Sequence, residues 1–114
     1  MIVIASDHGG FAMKTELLEH LRGRGLAVED LGCYSQDSVD YPGYAEKVGR
    51  AVAAGTYEKG ILICGTGIGM SIAANKIPGV RAALCADCYS AEMTRAHNDS
   101  NVLCLGGRTL GVEL

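Results

Sequence analysis

Short runs of Val, Ile and Leu alternate with stretches of helical periodicity from one end of the chain to the other, and this alternation is the strongest constraint on its fold. Parallel strands need a helical crossover between them, and strands buried on both faces read as continuous apolar runs. The pattern therefore predicts an α/β protein, a three-layer α/β/α sandwich around a five-stranded parallel, Rossmann-like sheet. The runs fall at 2–5, 26–31, 61–64, 81–85 and 102–105. Met13, Leu17 and Leu21 at steps of four mark a first helix, ended by Gly23 and Gly25. Tyr41, Pro42 and Gly43 open a second, with Ala45, Val48, Ala51 and Val52 as its apolar face and Gly55 at its end. A short third helix spans 70–76. The fourth carries Tyr89, Met93 and Ala96 on one side and ends near His97 and Asn98, with Asn98 the expected left-handed terminator. A fifth begins near Arg108 and is cut short at Leu114.

At 114 residues, 48% of them hydrophobic, the chain has enough apolar material for one core, so 1–114 reads as a single domain. A net charge of −3 without long runs of either sign gives no footprint for nucleic acid or an acidic membrane. No apolar stretch reaches the ~18 residues of a membrane span, and the N-terminus lacks the basic region of a secretory signal, which reads as cytoplasmic. Five cysteines, an odd number, argue against a disulfide framework.

In open parallel sheets, ligands bind beyond the carboxyl ends of the strands. Here those ends deliver Asp7, His8, Gly9 and Gly10; Cys64 with the loop Gly65, Thr66, Gly67, Ile68, Gly69; Asp87; and Gly106, Gly107 and Arg108. A glycine-rich loop between a strand and a helix start can turn its N–H groups onto an anion. It is neither a dinucleotide fingerprint, since Met70 stands at the third glycine position, nor a Walker loop. A thiol placed as Cys64 is, facing a helix N-terminus, is either a nucleophile or proton carrier or a small core residue. Cys33 and Cys104 read as core. Cys85 and Cys88 form a C-x-x-C, but zinc would need two further ligands that the sequence does not offer, and core packing is again the simpler reading. His20 reads as a solvated helix residue, whereas His8 beside Asp7 reads equally as structural or as a contact for an anion.

The segments SDHGG with Phe11 and Lys14, DYPGYA, GILICGTGIGMSIAANK, GVRAAL and AHNDSNVLCLGGR together resemble the B-type ribose-5-phosphate isomerases, a family that includes galactose-6-phosphate isomerase subunits. The resemblance implies aldose–ketose isomerisation of a sugar phosphate, ribose 5-phosphate to ribulose 5-phosphate, through a cis-enediolate and without metal or organic cofactor. It implies Cys64 as the base between C1 and C2, with Thr66 and the amides of 65–69 holding the enediolate oxygens. Asp7 and His97 would assist ring opening, Tyr41 and Asn98 would contact hydroxyls, and His8 and Arg108 would lie near the phosphate. Cys64 together with an apolar Met70 fits the branch that uses a cysteine base. Cys64 ends the third strand whereas His97 and Asn98 precede the fifth, so a parallel sheet keeps them too far apart for one chain's site and predicts sites shared between two chains. The resemblance also suggests a homodimer, or a dimer of dimers, and implies a C-terminal helix beyond the point where this chain stops. Galactose- or allose-6-phosphate isomerisation, a non-catalytic phosphate or nucleotide module, and a thiol redox protein built on Cys85 and Cys88 are the competing readings.

Overall fold

A computed structural model describes residues 1–33 and 41–111, for residues 41 and 42 the backbone alone. Five parallel strands form one sheet: β1 (Ile2–Ser6), β2 (Val28–Asp30), β3 (Lys59–Cys64), β4 (Ala82–Leu84) and β5 (Val102–Gly106). Their order across the sheet is β2-β1-β3-β5-β4. The helices are α1 (Phe11–Gly23), α2 (Tyr41–Ala53), α3 (Ile68–Asn75) and α4 (Cys88–Asn98), and a short 3₁₀ turn, His8–Gly10, leads into α1. This is the three-layer sandwich read from the sequence. Among the described residues, no helix is long and apolar enough to cross a membrane.

Strand order and crossover handedness decide which face each helix covers. The chain steps one way from β1 to β2 and from β4 to β5, and the other way from β2 to β3 and from β3 to β4. Right-handed crossovers therefore put α1 and α4 on one face and α2 and α3 on the other. The core divides accordingly. Ala45, Val48 and Val52 of α2 and Met70 and Ala74 of α3 close over Val3, Ala5, Leu62, Val102 and Cys104. Met13 and Leu18 of α1 close over Ile4, Val28 and Ile63.

Here the structure departs from the periodicity. No residue of α4 is buried, and Tyr89, expected on its packed face, is 71% exposed. The helix stands off from the sheet, leaving a cleft of about 830 Å³ between itself and α1, floored by Leu103, Leu105 and Leu110. The left-handed residue ending α4 is Asp99 (φ 50°), one place later than expected, and the N–H of the next residue, Ser100, returns to the Thr94 carbonyl (3.3 Å). Beyond β5 the chain makes a single turn closed by Leu110 N–H to Gly106 O (3.0 Å) where a fifth helix was expected to begin. Residues 112–114 lie outside the described part.

Two sequence-distant groups brace the sheet's first two strands. Lys14 is buried, and its ammonium donates to both carboxylate oxygens of Asp30 (2.8 Å each) and to the Cys33 carbonyl. Ser6 N–H in turn donates to Gly32 O (2.7 Å) and Cys33 N–H to Ser6 O (2.8 Å), so the ends of β1 and β2 are tied together. A buried ammonium is tolerated because its donors are met by a charged partner and a carbonyl.

Candidate active site

The reversal between α1 and α2 makes the carboxyl ends of β1 and β3 the point where loops diverge, leaving a crevice. Backbone fills its floor. Gly10 packs so close to β3 that a Cβ would stand 2.5 Å from the Ile63 carbonyl oxygen, and a Cβ at Gly107 would stand 2.8 Å from the Gly9 oxygen. The exit of β5 is laced to the glycine loop by Gly107 N–H to Cys64 O (2.7 Å) and Arg108 N–H to Gly65 O (2.9 Å). Three strand ends thus meet within one hydrogen-bonded cluster of loops.

Cys64 closes β3 and is only 6% exposed. The next residues turn sharply through Gly67, whose φ of 81° is left-handed, and α3 starts at Ile68. By helix geometry, the N–H groups of Gly67, Ile68, Gly69 and Met70 have no preceding carbonyl to bond. Gly67 N–H instead donates to Cys64 Sγ (3.1 Å) and Ile68 N–H to Thr66 Oγ1 (3.2 Å). Gly69, at the second helical position, keeps its N–H at a helix N-terminus, where the partial positive charge of the helix favours an anion. The Arg108 side chain lies along the same loop, its Cδ and Nη1 3.5 and 3.7 Å from where a Gly65 Cβ would stand.

Asp7 is the buried N-cap of the 3₁₀ turn, its Oδ1 accepting from Gly9 N–H (2.8 Å) and Gly10 N–H (3.1 Å). One carboxylate oxygen is therefore already committed to shaping the loop that carries His8. This separates shape from charge: Asp7→Asn keeps an Oδ1 acceptor and should melt like the parent, whereas Asp7→Ala should lose about 1 kcal/mol in a denaturation experiment. A large fall in turnover for Asp7→Asn, with unchanged melting, assigns the carboxylate a chemical part; full activity limits it to the cap.

The other cysteines divide by environment. Burial, followed by the neighbouring Cys64 and Cys85, pushes the Cys104 thiol up to about 12. Burial and the Asp87 carboxylate also raise Cys85. The raised Cys85 leaves the C-x-x-C less thiolate on that side than an ordinary cysteine would supply, which weakens any redox role for the motif. Cys33 is core as expected, but Cys88 is exposed rather than packed. Asp87 caps α4, its carboxylate held below its ordinary range by the Ser90 N–H (2.6 Å) and hydroxyl (2.8 Å). Among the described residues, no group of His, Cys, Asp and Glu could hold a metal ion.

Of the residues singled out from the sequence, Asp7, His8, Cys64, Gly65, Thr66, Gly67, Ile68, Gly69 and Arg108 gather at this crevice. His97 and Asn98 do not. They occupy the last turn of α4, just before β5 begins at Val102, and β5 pairs Val102 with Gly60 and Gly106 with Cys64. They therefore lie at the amino end of β5 while Cys64 lies at its carboxyl end, about 13 Å away along the strand. The Tyr41 side chain lies outside the described residues. Sequence reading missed Lys14 and Asp30 as a buried pair, and Arg81, whose side chain reaches the end of α4.

A crevice at the switch point of a doubly wound sheet, lined by a thiol, the N-terminal amides of α3 and an arginine, defines an α/β enzyme that handles a small anionic substrate. Comparison with known proteins narrows this. The sequence profile of the ribose/galactose isomerase family matches residues 2–114. Ribose-5-phosphate isomerase B of Escherichia coli is 52% identical over 113 residues, 99% of this chain and 76% of that protein. The solved ribose-5-phosphate isomerase B of Clostridium thermocellum superposes with a TM-score of 0.97 at 52% identity, covering 99% of this chain and 76% of that one. The Mycoplasma genitalium enzyme, solved with bound ribulose 5-phosphate, gives 0.92 at 43% identity over 98% and 75% of the two chains. The chain belongs to the ribose/galactose isomerase family and is an isomerase.

Proposed function

We propose that this protein interconverts ribose 5-phosphate and ribulose 5-phosphate, with Cys64 as the proton carrier. The observation that carries the reading is the Gly67 N–H donated to Cys64 Sγ at the mouth of the amide-lined loop. Once the sugar ring has opened, the Cys64 thiolate takes the proton from C2. Electrons of the broken C–H bond form the C1–C2 double bond, and charge gathers on the oxygen at C1. The N–H groups of the 65–69 loop and the Thr66 hydroxyl face that charge, the electrostatic stabilisation on which enolisation depends. The thiol then returns the proton to C1 while the hydroxyl proton at C2 moves to the other oxygen, leaving the ketose. His8 and Arg108 hold the phosphate, and Asp7 and His97 move the protons of ring opening. No metal or organic cofactor has a part in this scheme. The test is an isomerase assay over pentose and hexose phosphates: ribose 5-phosphate should show the highest kcat/KM. A clear preference for allose or galactose 6-phosphate would replace the substrate, and binding without turnover of any of them would remove the reaction.

The same proposal makes the protein a homodimer whose sites are shared. His97 and Asn98 sit too far from their own Cys64 to serve it, while Ile68 and Ile72 of α3 and Leu84 of β4 form an exposed apolar patch beside the glycine loop. A two-fold contact there sets the α4 end of one copy over the Cys64 crevice of the other, twice. Mixing an inactive Cys64→Ala chain with an inactive His97→Ala chain should restore one working site per heterodimer. Failure to recover, with subunit exchange verified by mass, would place a complete site in each chain.

A further inference from the structure

We infer that Arg81 is a positioning residue for the reaction, acting through the end of α4 and serving the site of the opposite copy; this rests on the shared-site reading above. The observation is a chain of hydrogen bonds at the amino end of β4. Arg81 is held there by its backbone: its N–H donates to Asn101 Oδ1 (2.8 Å), its carbonyl accepts from Asn101 N–H (3.0 Å), and Asn101 Nδ2 also binds Gly79 O (2.9 Å). Next to it, the Asn75 side-chain amide bonds both N–H and C=O of Ala82 (2.8 and 2.9 Å). The start of β4 is thus fixed on both sides by asparagines.

From this anchor the Arg81 side chain reaches across, and its Nε donates to the Asn98 carbonyl (2.7 Å). Asn98 is the last residue of α4, so its carbonyl is one that the helix itself cannot satisfy. Asp99 turns left-handed directly afterwards, and Ser100 N–H closes the turn on the Thr94 carbonyl (3.3 Å) without engaging the Asn98 carbonyl. Arg95 supports the following residues, at Asp99 (3.3 Å) and the Ser100 carbonyl, but leaves Asn98 to Arg81. His97 and Asn98 are exposed, and α4 has no buried residue to hold them from below. Among the described residues, the Arg81 side chain ties the Asn98 carbonyl directly to the start of β4. An error of about 1 Å in the placement of a reacting group can cost on the order of a hundredfold, so the tie bears on turnover although Arg81 itself touches no substrate.

Arg81→Met keeps the aliphatic stem and removes the donor. It should lower kcat/KM about tenfold, and unchanged kinetics would overturn the inference. Mixed dimers then tell which half of the site Arg81 serves, with Cys64→Ala plus His97→Ala as the control pair. Where the control pair recovers, Arg81→Met mixed with Cys64→Ala should recover to the same level, since the intact Cys64 then faces an intact α4 end. Arg81→Met mixed with His97→Ala should not rise above Arg81→Met alone. The opposite pattern, or no recovery in either mixture, would overturn the assignment. Where the control pair itself fails, the shared site is lost and histidine-ring NMR decides on Arg81. In Arg81→Met the His97 signals should shift while those of His8 and His20 stay; a still His97, or movement of all three, would show that Arg81 does not position this turn.

Discussion

Cys64→Ala should lower kcat by about 10²–10⁴-fold, the range associated with losing a positioned general base, while binding of the sugar phosphate, followed by calorimetry, changes little. The side chain is nearly buried and belongs to the larger core cluster, so the substitution also removes packing and leaves Gly67 N–H without its sulfur acceptor. That combination should cost about 1–3 kcal/mol of stability, and loss of fold must be told apart from loss of base. Cys64→Ser makes the distinction. Its hydroxyl is close in size and can still accept from Gly67, but an alcohol is far too weak an acid to exist as the anion that abstracts a carbon-bound proton. The serine variant should therefore melt close to the parent and be as inactive as the alanine variant. Substantial turnover in Cys64→Ser would make the thiol a packing residue and move the base elsewhere in the crevice.

The layers were legible because they follow from local pattern. Each apolar run became a strand, although 26–31 shortened to Val28–Asp30, the residues that pair with Ile2–Ile4, and 81–85 shortened to Ala82–Leu84. The crevice was legible for a similar reason: Asp7, Cys64 and Arg108 each follow directly on a strand end, and parallel strands bring all such ends to one side. What the sequence hid was long-range. Nothing near Lys14 announces that its ammonium will be buried against Asp30, or near Arg81 that its side chain will reach Asn98, because those partners meet only after the strands have ordered themselves as β2-β1-β3-β5-β4. The spacing of Tyr89, Met93 and Ala96 misled for the complementary reason. Periodicity reports which face of a helix is apolar, not whether the sheet is close enough to receive it, and over Leu103 and Leu105 the sheet is left open. Similarly, the glycines of the loop look equivalent in sequence, yet of these only Gly67 adopts a left-handed backbone.

That difference sets the second large expected effect. Gly67→Val should lower kcat/KM by at least about a hundredfold, as expected when amide donors lose their aim at a developing oxyanion, and should also destabilise the fold. Two independent costs act at this position. A β-branched residue at φ 81° pays for a conformation that only glycine adopts freely, and the new Cβ would stand 2.5 Å from Leu84 Cδ1 and 2.9 and 3.0 Å from the Leu105 carbonyl carbon and oxygen. Together these should come to about 3 kcal/mol, read as a lowered unfolding midpoint. The Leu84 contact involves the far end of a flexible side chain, whereas the Leu105 contact is with strand backbone that cannot retreat without breaking the ladder of β5. Adding Leu84→Ala to Gly67→Val relieves only the first. The double variant should therefore regain part of the lost stability in thermal melts and none of the lost turnover, because the amide of residue 67 still cannot return to Cys64 Sγ. A Gly67→Val chain that melts and turns over like the parent would reduce the loop to an ordinary turn and take the oxyanion role away from it.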